Sequence, residues 1–298
     1  MKYFKNFIKK PTGGLKILSM TSMATLLASC SFELNIDRRY EYFGTDGDDV
    51  MDGTKNAELE TFFSSLGADK MTAKSPAVVD YSKSNAAVTI NLDGTVGKGG
   101  HAEGDILSGI EGVIGSDFDD VISGGGSYLG VYGRGGDDII MGTKDYDLFF
   151  GDAGDDKLYG YDGGDYLAGG SGADILDGGA GNDTAVYKDS TVGVTINLLT
   201  GAASGGDAQG DILVSIENVD GSGFNDHITG DDADNTKNGY DGDDQIFGLA
   251  GNDDLSGWAG DDLISGGDGN DRIYGGQGDD ILNGGAGDDG FYESYGPR

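Results

Sequence analysis

Cysteine occurs once in the 298 residues, at Cys30, so no intrachain disulfide is available and the fold needs another staple. Histidine occurs twice, at His101 and His227, which leaves no third imidazole for a histidine-rich zinc site. Both read as surface residues. Proline occurs 3 times against 58 glycines, a ratio that excludes collagen and calls for many tight turns. Basic residues are scarce too: 19 Lys and Arg stand against 53 Asp and Glu. Five of the lysines lie in residues 1–29, which hold no acid, so the rest of the chain carries 14 basic and 53 acidic groups, a net charge of −39. Such a chain repels nucleic acid and anionic lipid heads. Its natural partners are cations. No H-E-x-x-H helix and no G-x-S-x-G elbow occurs, so neither a zinc protease nor a lipase is expected, and no enzyme. Nor is there a convincing amphipathic helix after residue 30, although 57–65 has room for one turn or two.

The apolar stretch Ile17–Ala28 is 12 residues long, short of the roughly 20 that span a bilayer. With Lys2, Lys5, Lys9, Lys10 and Lys16 before it, it suits a secretory signal. Leu27-Ala28-Ser29-Cys30 follows and resembles the lipobox of bacterial lipoproteins. That resemblance implies cleavage after residue 29, lipidation of Cys30 and, from Ser31 behind it, sorting to the outer membrane. The alternative is a secreted protein. More than one acyl chain would make a stable anchor. Phe32–Phe43 reads as part of a tether that continues with degenerate repeats (Gly44–Asp52, Gly67–Met71) through residue 77.

Self-similarity organises everything after that. Glycine recurs without a slip at 115, 124, 133, 142, 151, 160, 169 and 178, and again at 221, 230, 239, 248, 257, 266, 275 and 284. Within these nonapeptides aspartate recurs at the sixth place and an apolar residue at the eighth, as in Gly151–Tyr159 (GDAGDDKLY) and Gly266–Tyr274 (GGDGNDRIY). Val88–Gly124 also lies over Val194–Gly230 without gaps, at a spacing of 106. The chain is therefore a tandem duplication, with β spacers at 78–114 and 184–220 and arrays at 115–183 and 221–292.

These nonapeptides resemble the repeats-in-toxin (hemolysin-type) calcium-binding family, and the spacers are similar to C-terminal regions of serralysin-type proteases. The resemblance implies an all-β fold, a right-handed parallel β-roll, with calcium as the cofactor. After Asp289 only nine residues remain, which leaves little room for the C-terminal export signal common in that family and favours export through the N-terminus.

Elementary geometry leads the same way. Six residues make a turn and three make a short strand, so two nonapeptides complete one coil and residues 18 apart stack at the sheet spacing of ~4.8 Å. The candidate turn glycines, at first and fourth places, are Gly133, Gly136, Gly151, Gly154, Gly160, Gly163, Gly169, Gly172, Gly178 and Gly181, then Gly239, Gly242, Gly248, Gly251, Gly257, Gly260, Gly266, Gly269, Gly275, Gly278, Gly284 and Gly287. They are expected where the backbone turns left-handed. Asp145 stands where one of them belongs and is expected to tolerate that geometry.

Stacking brings sixth-place carboxylates of adjacent coils together with turn carbonyls, a hard oxygen cage of the kind calcium takes. The candidate ligands form columns: Asp120, Asp138, Asp156, Asp174 and Asp147, Asp165, Asp183 in the first array; Asp226, Asp244, Asp262, Asp280 and Asp253, Asp271, Asp289 in the second. Neighbours in these columns give five expected sites per array. Two units depart from the pattern: Leu129 replaces one aspartate, and Asn235 with Lys237 replaces both the acid and the apolar residue of another, so neither is expected to form a full site. The eighth-place residues, Ile122 to Leu176 and Ile246 to Leu282, should form one thin internal ladder too meagre to fold alone, so folding and calcium binding are expected to be coupled. Possible further partners are a polysaccharide, through Tyr132, Tyr159, Tyr161, Tyr240 and Tyr274 read as exposed, or a surface protein.

Overall fold

The computed structural model describes residues 39–54, 57, 59–126 and 128–292. The signal segment, Cys30 and the first part of the tether lie outside them. Within them the chain is a parallel β-solenoid of about 14 turns. Thirteen strands stack in one sheet and twelve in the facing sheet, with a third sheet of three short strands (Val50–Asp52, Lys70–Thr72, Ile106–Ser108) beside the first coils. Register follows the 18-residue coil: Ile140 pairs with Leu158, Leu158 with Leu176, and Leu255 with Ile273. Helical structure among the described residues is limited to two 3-10 turns, Gly100–Ala102 and Gly206–Ala208, which again lie 106 apart.

Between the two sheets of the arrays the core is a single file. Ile122, Val131, Ile140, Phe149, Leu158, Leu167 and Leu176 are each fully buried, as are Ile246, Leu255, Ile264 and Ile273. Only one residue of each short strand turns inward, because side chains alternate across a strand. Burying one such residue yields roughly 1.5–3 kcal/mol, which is modest against the ordering of nine. The rest of the cohesion must come from the turns.

The spacers do not interrupt the thirteen-stranded sheet. Gly112–Ile114 pairs with both Ala77–Asp80 and Leu129–Gly135, and Asn218–Asp220 pairs with both Thr184–Val186 and Thr236–Asp241. They do break the facing side: the three-stranded sheet stops at Ile106–Ser108 where the twelve-stranded one starts at Thr89–Asn91, and Ala202–Ser204 enters the latter antiparallel to Thr195–Asn197 and Ile212–Val214. The tether reading fails at its end, since Arg39–Phe43 is a strand paired in parallel with Leu59–Phe63. That second strand also replaces the helical turn expected over 57–65: Phe62 is fully buried and stacks on Tyr42, with ring centroids 4.7 Å apart. Sheet pairing with preceding and following coils outweighs a weak local helical preference here. His101 and His227 are half-buried rather than on the surface, the latter tilted against Phe247.

Candidate metal centres

Most array turns are built from glycines of two kinds. The fourth-place glycines are left-handed, from Gly136 (φ 100°) and Gly251 (φ 104°) to Gly181 (φ 156°). The first-place glycines have ordinary φ values, which corrects the expectation that all of them turn left-handed. They are needed for room instead: a Cβ at Gly151 would collide with Oδ2 of Asp156 and the carbonyl oxygen of Gly169, and one at Gly266 with Oδ2 of Asp271 and the carbonyl of Gly284. Second-place residues in these turns are left-handed as well, including Arg134, Asp152, Tyr161, Tyr240, Leu249 and Trp258. Six non-glycine residues held in that conformation mean the turn geometry overrides their intrinsic preference.

The sixth-place aspartates line up as columns linked by main-chain hydrogen bonds. The N–H of Asp138 donates to Oδ1 of Asp156 at 2.7 Å, that of Asp156 to Asp174 at 2.8 Å, and that of Asp165 to Asp183 at 2.7 Å. The second array repeats this from Asp226 to Asp244 and Asp262, and from Asp253 to Asp271. Asp262 and Asp271 in turn donate to Asp280 and Asp289 at 3.1 Å. One oxygen of each carboxylate is thereby used. The other is not: Oδ2 of Asp138, Asp156, Asp165, Asp174, Asp183, Asp244, Asp253, Asp262 and Asp271 is buried and accepts no hydrogen bond from the chain. Nine buried carboxylate oxygens in that condition are costly in an ordinary protein. Eight of them, all but that of Asp174, lie beside the carbonyl of the first-place glycine, or its spacer equivalent, in the following coil.

Electrostatics amplifies the cost. Burial, reinforced by the carboxylates of Asp120 and Asp156, pushes the Asp138 carboxyl up to about 8 despite the N–H it accepts from Asp120. Asp244 is likewise raised to about 8, and Asp156 and Asp165 to about 7, burial being the first cause in each. Buried anions 18 residues apart in stacked columns, with carbonyl oxygens alongside, ask for a cation. Among the described residues no three His, Cys, Asp or Glu side chains converge, so any ion here is held by one or two carboxylates together with main-chain carbonyls.

The family model of the RTX calcium-binding nonapeptide repeat matches this chain at 132–167, 159–185, 230–264, 238–271 and 259–291. The chain carries RTX calcium-binding repeats. No curated protein matches it. Its matched segments hold all nine of the unsatisfied Oδ2 atoms, and calcium is the cation that RTX repeats bind. The donor set fits that ion: all-oxygen, anionic, buried, with neither thiolate nor imidazole.

The RTX turns are not all alike. In four units a Ser, Thr or Asp stands at the second place and no glycine at the fourth. The N–H of Ser116 donates to Oδ2 of Asp120 at 2.6 Å, that of Thr143 to Oδ2 of Asp147 at 2.6 Å, and that of Ser222 to Oδ2 of Asp226 at 2.6 Å. The N–H of Asp231 donates to Oδ1 of Asn235 at 3.1 Å. In these turns the second-place residue is not left-handed, so its N–H points inward and closes on its own sixth-place side chain. Asp145 is not left-handed either, contrary to expectation, because its N–H is held by the Thr143 hydroxyl. The fourteen candidate aspartates therefore divide. Nine keep a buried oxygen unclaimed by the chain, Asp120, Asp147 and Asp226 have both oxygens engaged, and Asp280 and Asp289 are half-exposed at the last coils.

Further members of the columns escaped the sequence reading. The N–H of Asp49 donates to Asp69, that of Asp69 to Asp105, that of Asp174 to Asp211 and that of Asp183 to Glu217. Asp105 and Asp211 end their columns differently, each accepting a buried tyrosine hydroxyl at Oδ2: Tyr81 at 2.8 Å and Tyr187 at 3.0 Å. The D-I-L run at both positions repeats the sixth-to-eighth pattern of the nonapeptides and was the available signal. A second, outer ladder at the fifth place runs in the opposite sense, the N–H of Asp155 donating to Asp137 and that of Asp137 to Asp119.

Proposed function

We propose that this calcium-binding repeat protein is a structural or interaction component of the bacterial envelope, exported and held to the outer membrane through Cys30, with no catalytic role of its own. The observation that carries the calcium-dependent part is the set of nine buried Oδ2 atoms without a hydrogen-bond donor, eight of them next to a turn carbonyl. They are the proposed ligands, and calcium among them would convert columns of mutual repulsion into columns of attraction. The chain's own residues do the rest: left-handed glycines aim the carbonyls, and first-place glycines leave room for the carboxylates. Proteins with RTX repeats are generally exported or secreted, which agrees with the N-terminal signal and lipobox.

A polysaccharide-binding role has less support. Of the five tyrosines read as exposed, only Tyr161 is, at 50%. Tyr132 stacks on Phe150, Tyr240 on Trp258 and Tyr274 on Tyr292, at 4.5, 5.8 and 4.8 Å between ring centroids, because stacked coils bring their rings within reach.

The test is a calcium titration of metal-stripped protein, followed by circular dichroism and Trp258 emission. A cooperative gain of β signal with a change in emission is expected. An unchanged spectrum in excess chelator would refute calcium-coupled folding. Mass analysis of the mature N-terminus decides the anchor, a diacylated cysteine being the expected result.

A further inference from the structure

One unit of the second array carries a lysine at the place reserved for the internal ladder. Lys237 pairs with Val219 below and Leu255 above, and its side chain is fully buried. Its stem continues the apolar file, but its ammonium does not stay there. Nζ donates to Oδ1 of Asn235 at 2.7 Å and lies 3.9 Å from Oδ1 of Asp253, a pair with neither side chain exposed.

Where Nζ sits is the telling point. A Cβ built at Gly230 would meet three atoms at once: Nζ of Lys237, Oδ1 of Asn235 and the carbonyl oxygen of Gly248. At Gly239 and Gly248 the same construction meets the sixth-place Oδ2 and the carbonyl of the next first-place glycine, of Gly257 and Gly266 respectively. The ammonium thus sits at the point where a sixth-place oxygen and the carbonyl of the next first-place glycine converge, as they do at Gly133, Gly151, Gly239 and Gly248. A buried lysine is tolerated only where anions and acceptors surround it. Asp253 and Asp231 supply the charge, and the neutral amide of Asn235 avoids a third anion around a single positive group.

We propose that Lys237 is a tethered cation that takes the metal position of this turn, so that the edge running through Asp253, Asp271 and Asp289 starts from a turn that needs no calcium. The inference rests on the RTX turns holding calcium in the remaining positions. It makes Lys237 a positioning residue for the second array and sets that array's complement one ion below a consensus repeat.

The test compares two variants of the full chain by native mass spectrometry at saturating calcium. D231G/A233G/N235D restores the consensus turn but keeps the lysine. Adding K237I removes the ammonium. The triple variant is expected to hold the same number of calcium ions as the wild type, and the quadruple variant one more. Equal numbers in the two variants overturn the proposal. Should either fail to regain its β spectrum in calcium, K237M decides. Methionine replaces the apolar stem without the charge, so a lost ion partner lowers the melting temperature in saturating calcium by roughly 5–15 °C. An unchanged or raised melting temperature means the lysine was only filling space, and the proposal falls. Wild type that binds no calcium at all would instead sink the functional reading itself.

Discussion

Metal-stripped protein should regain β structure when the pH is lowered from 8 to 5. The reason lies in the buried columns. Asp138 and Asp244 are raised to about 8, and Asp156, Asp165 and Asp211 to about 7, all chiefly by burial, whereas the ordinary value is 3.8. Between 3.8 and about 8 the folded chain therefore holds more protons than the unfolded chain. A state that holds more protons is favoured as pH falls, so the metal-free fold gains stability through this window and loses it as pH rises. Each extra proton is worth about 1.4 kcal/mol per pH unit, and five such groups move the balance by on the order of 5 kcal/mol per unit near pH 6. That is comparable with the whole stability of a typical domain, about 5–15 kcal/mol. Relief of general repulsion does not mimic the effect, because ordinary surface carboxylates stay ionised throughout the window. Calcium reverses the sign: protons then compete with the ion for the same oxygens, and acidification weakens the loaded fold. Far-ultraviolet circular dichroism against pH, with and without calcium, reads both arms. A metal-free spectrum that does not change between pH 8 and 5, or a pH response of the same sign in both conditions, would refute the argument.

Three further outcomes follow from the turns. Gly151→Ala should weaken calcium binding and lower the melting temperature in calcium, because its Cβ would occupy the space of Asp156 Oδ2 and the Gly169 carbonyl; isothermal titration against Gly126→Ala, whose Cβ meets no other atom within 4 Å, isolates the effect. Tyr187→Phe should cost about 1.5–3 kcal/mol by removing the 3.0 Å hydrogen bond to Asp211, a loss that saturating calcium does not restore, as thermal melts would show. Asp156→Asn should remove ligand charge without emptying the core and reduce the calcium count by one or two ions in native mass spectra, whereas an unchanged count would exclude Asp156 from the ligand set.

Much of this architecture could be read before any coordinates, because the period of the repeat is the period of the coil. Eighth-place residues 18 apart must stack if the chain winds at all, and Ile122 to Leu176 do. The fourth-place glycines were equally legible, since left-handed geometry has few other tenants. What local pattern could not convey was competition for a carboxylate. Asp120 and Asp138 look alike in the sequence, yet a serine four residues ahead of Asp120 closes one turn and an arginine in the matching place leaves the other open. In retrospect the missing fourth-place glycine, at Phe118, Asp145, Phe224 and Ala233, marks all four closed turns. Asp105 and Asp211 were hidden for another reason: they join their columns across 36 and 37 residues, a separation that the nonapeptide count does not span. Lys237 read as a defect because its charge was placed by residue type, and the position of its ammonium depends on the curl of a long side chain.

The direction of the inner ladder has a consequence for the order of events. The sixth-place N–H groups of Asp120, Asp138, Asp147, Asp156 and Asp165, and of Asp226, Asp244, Asp253, Asp262 and Asp271, are each satisfied by a carboxylate that arrives 18 residues later in the chain, so these coils are not finished by what precedes them. A polypeptide delivered amino end first thus trails one unfinished winding behind its leading part, and closure always waits for the next lap. In an environment rich in calcium, each lap would then be locked in turn as the one after it closes.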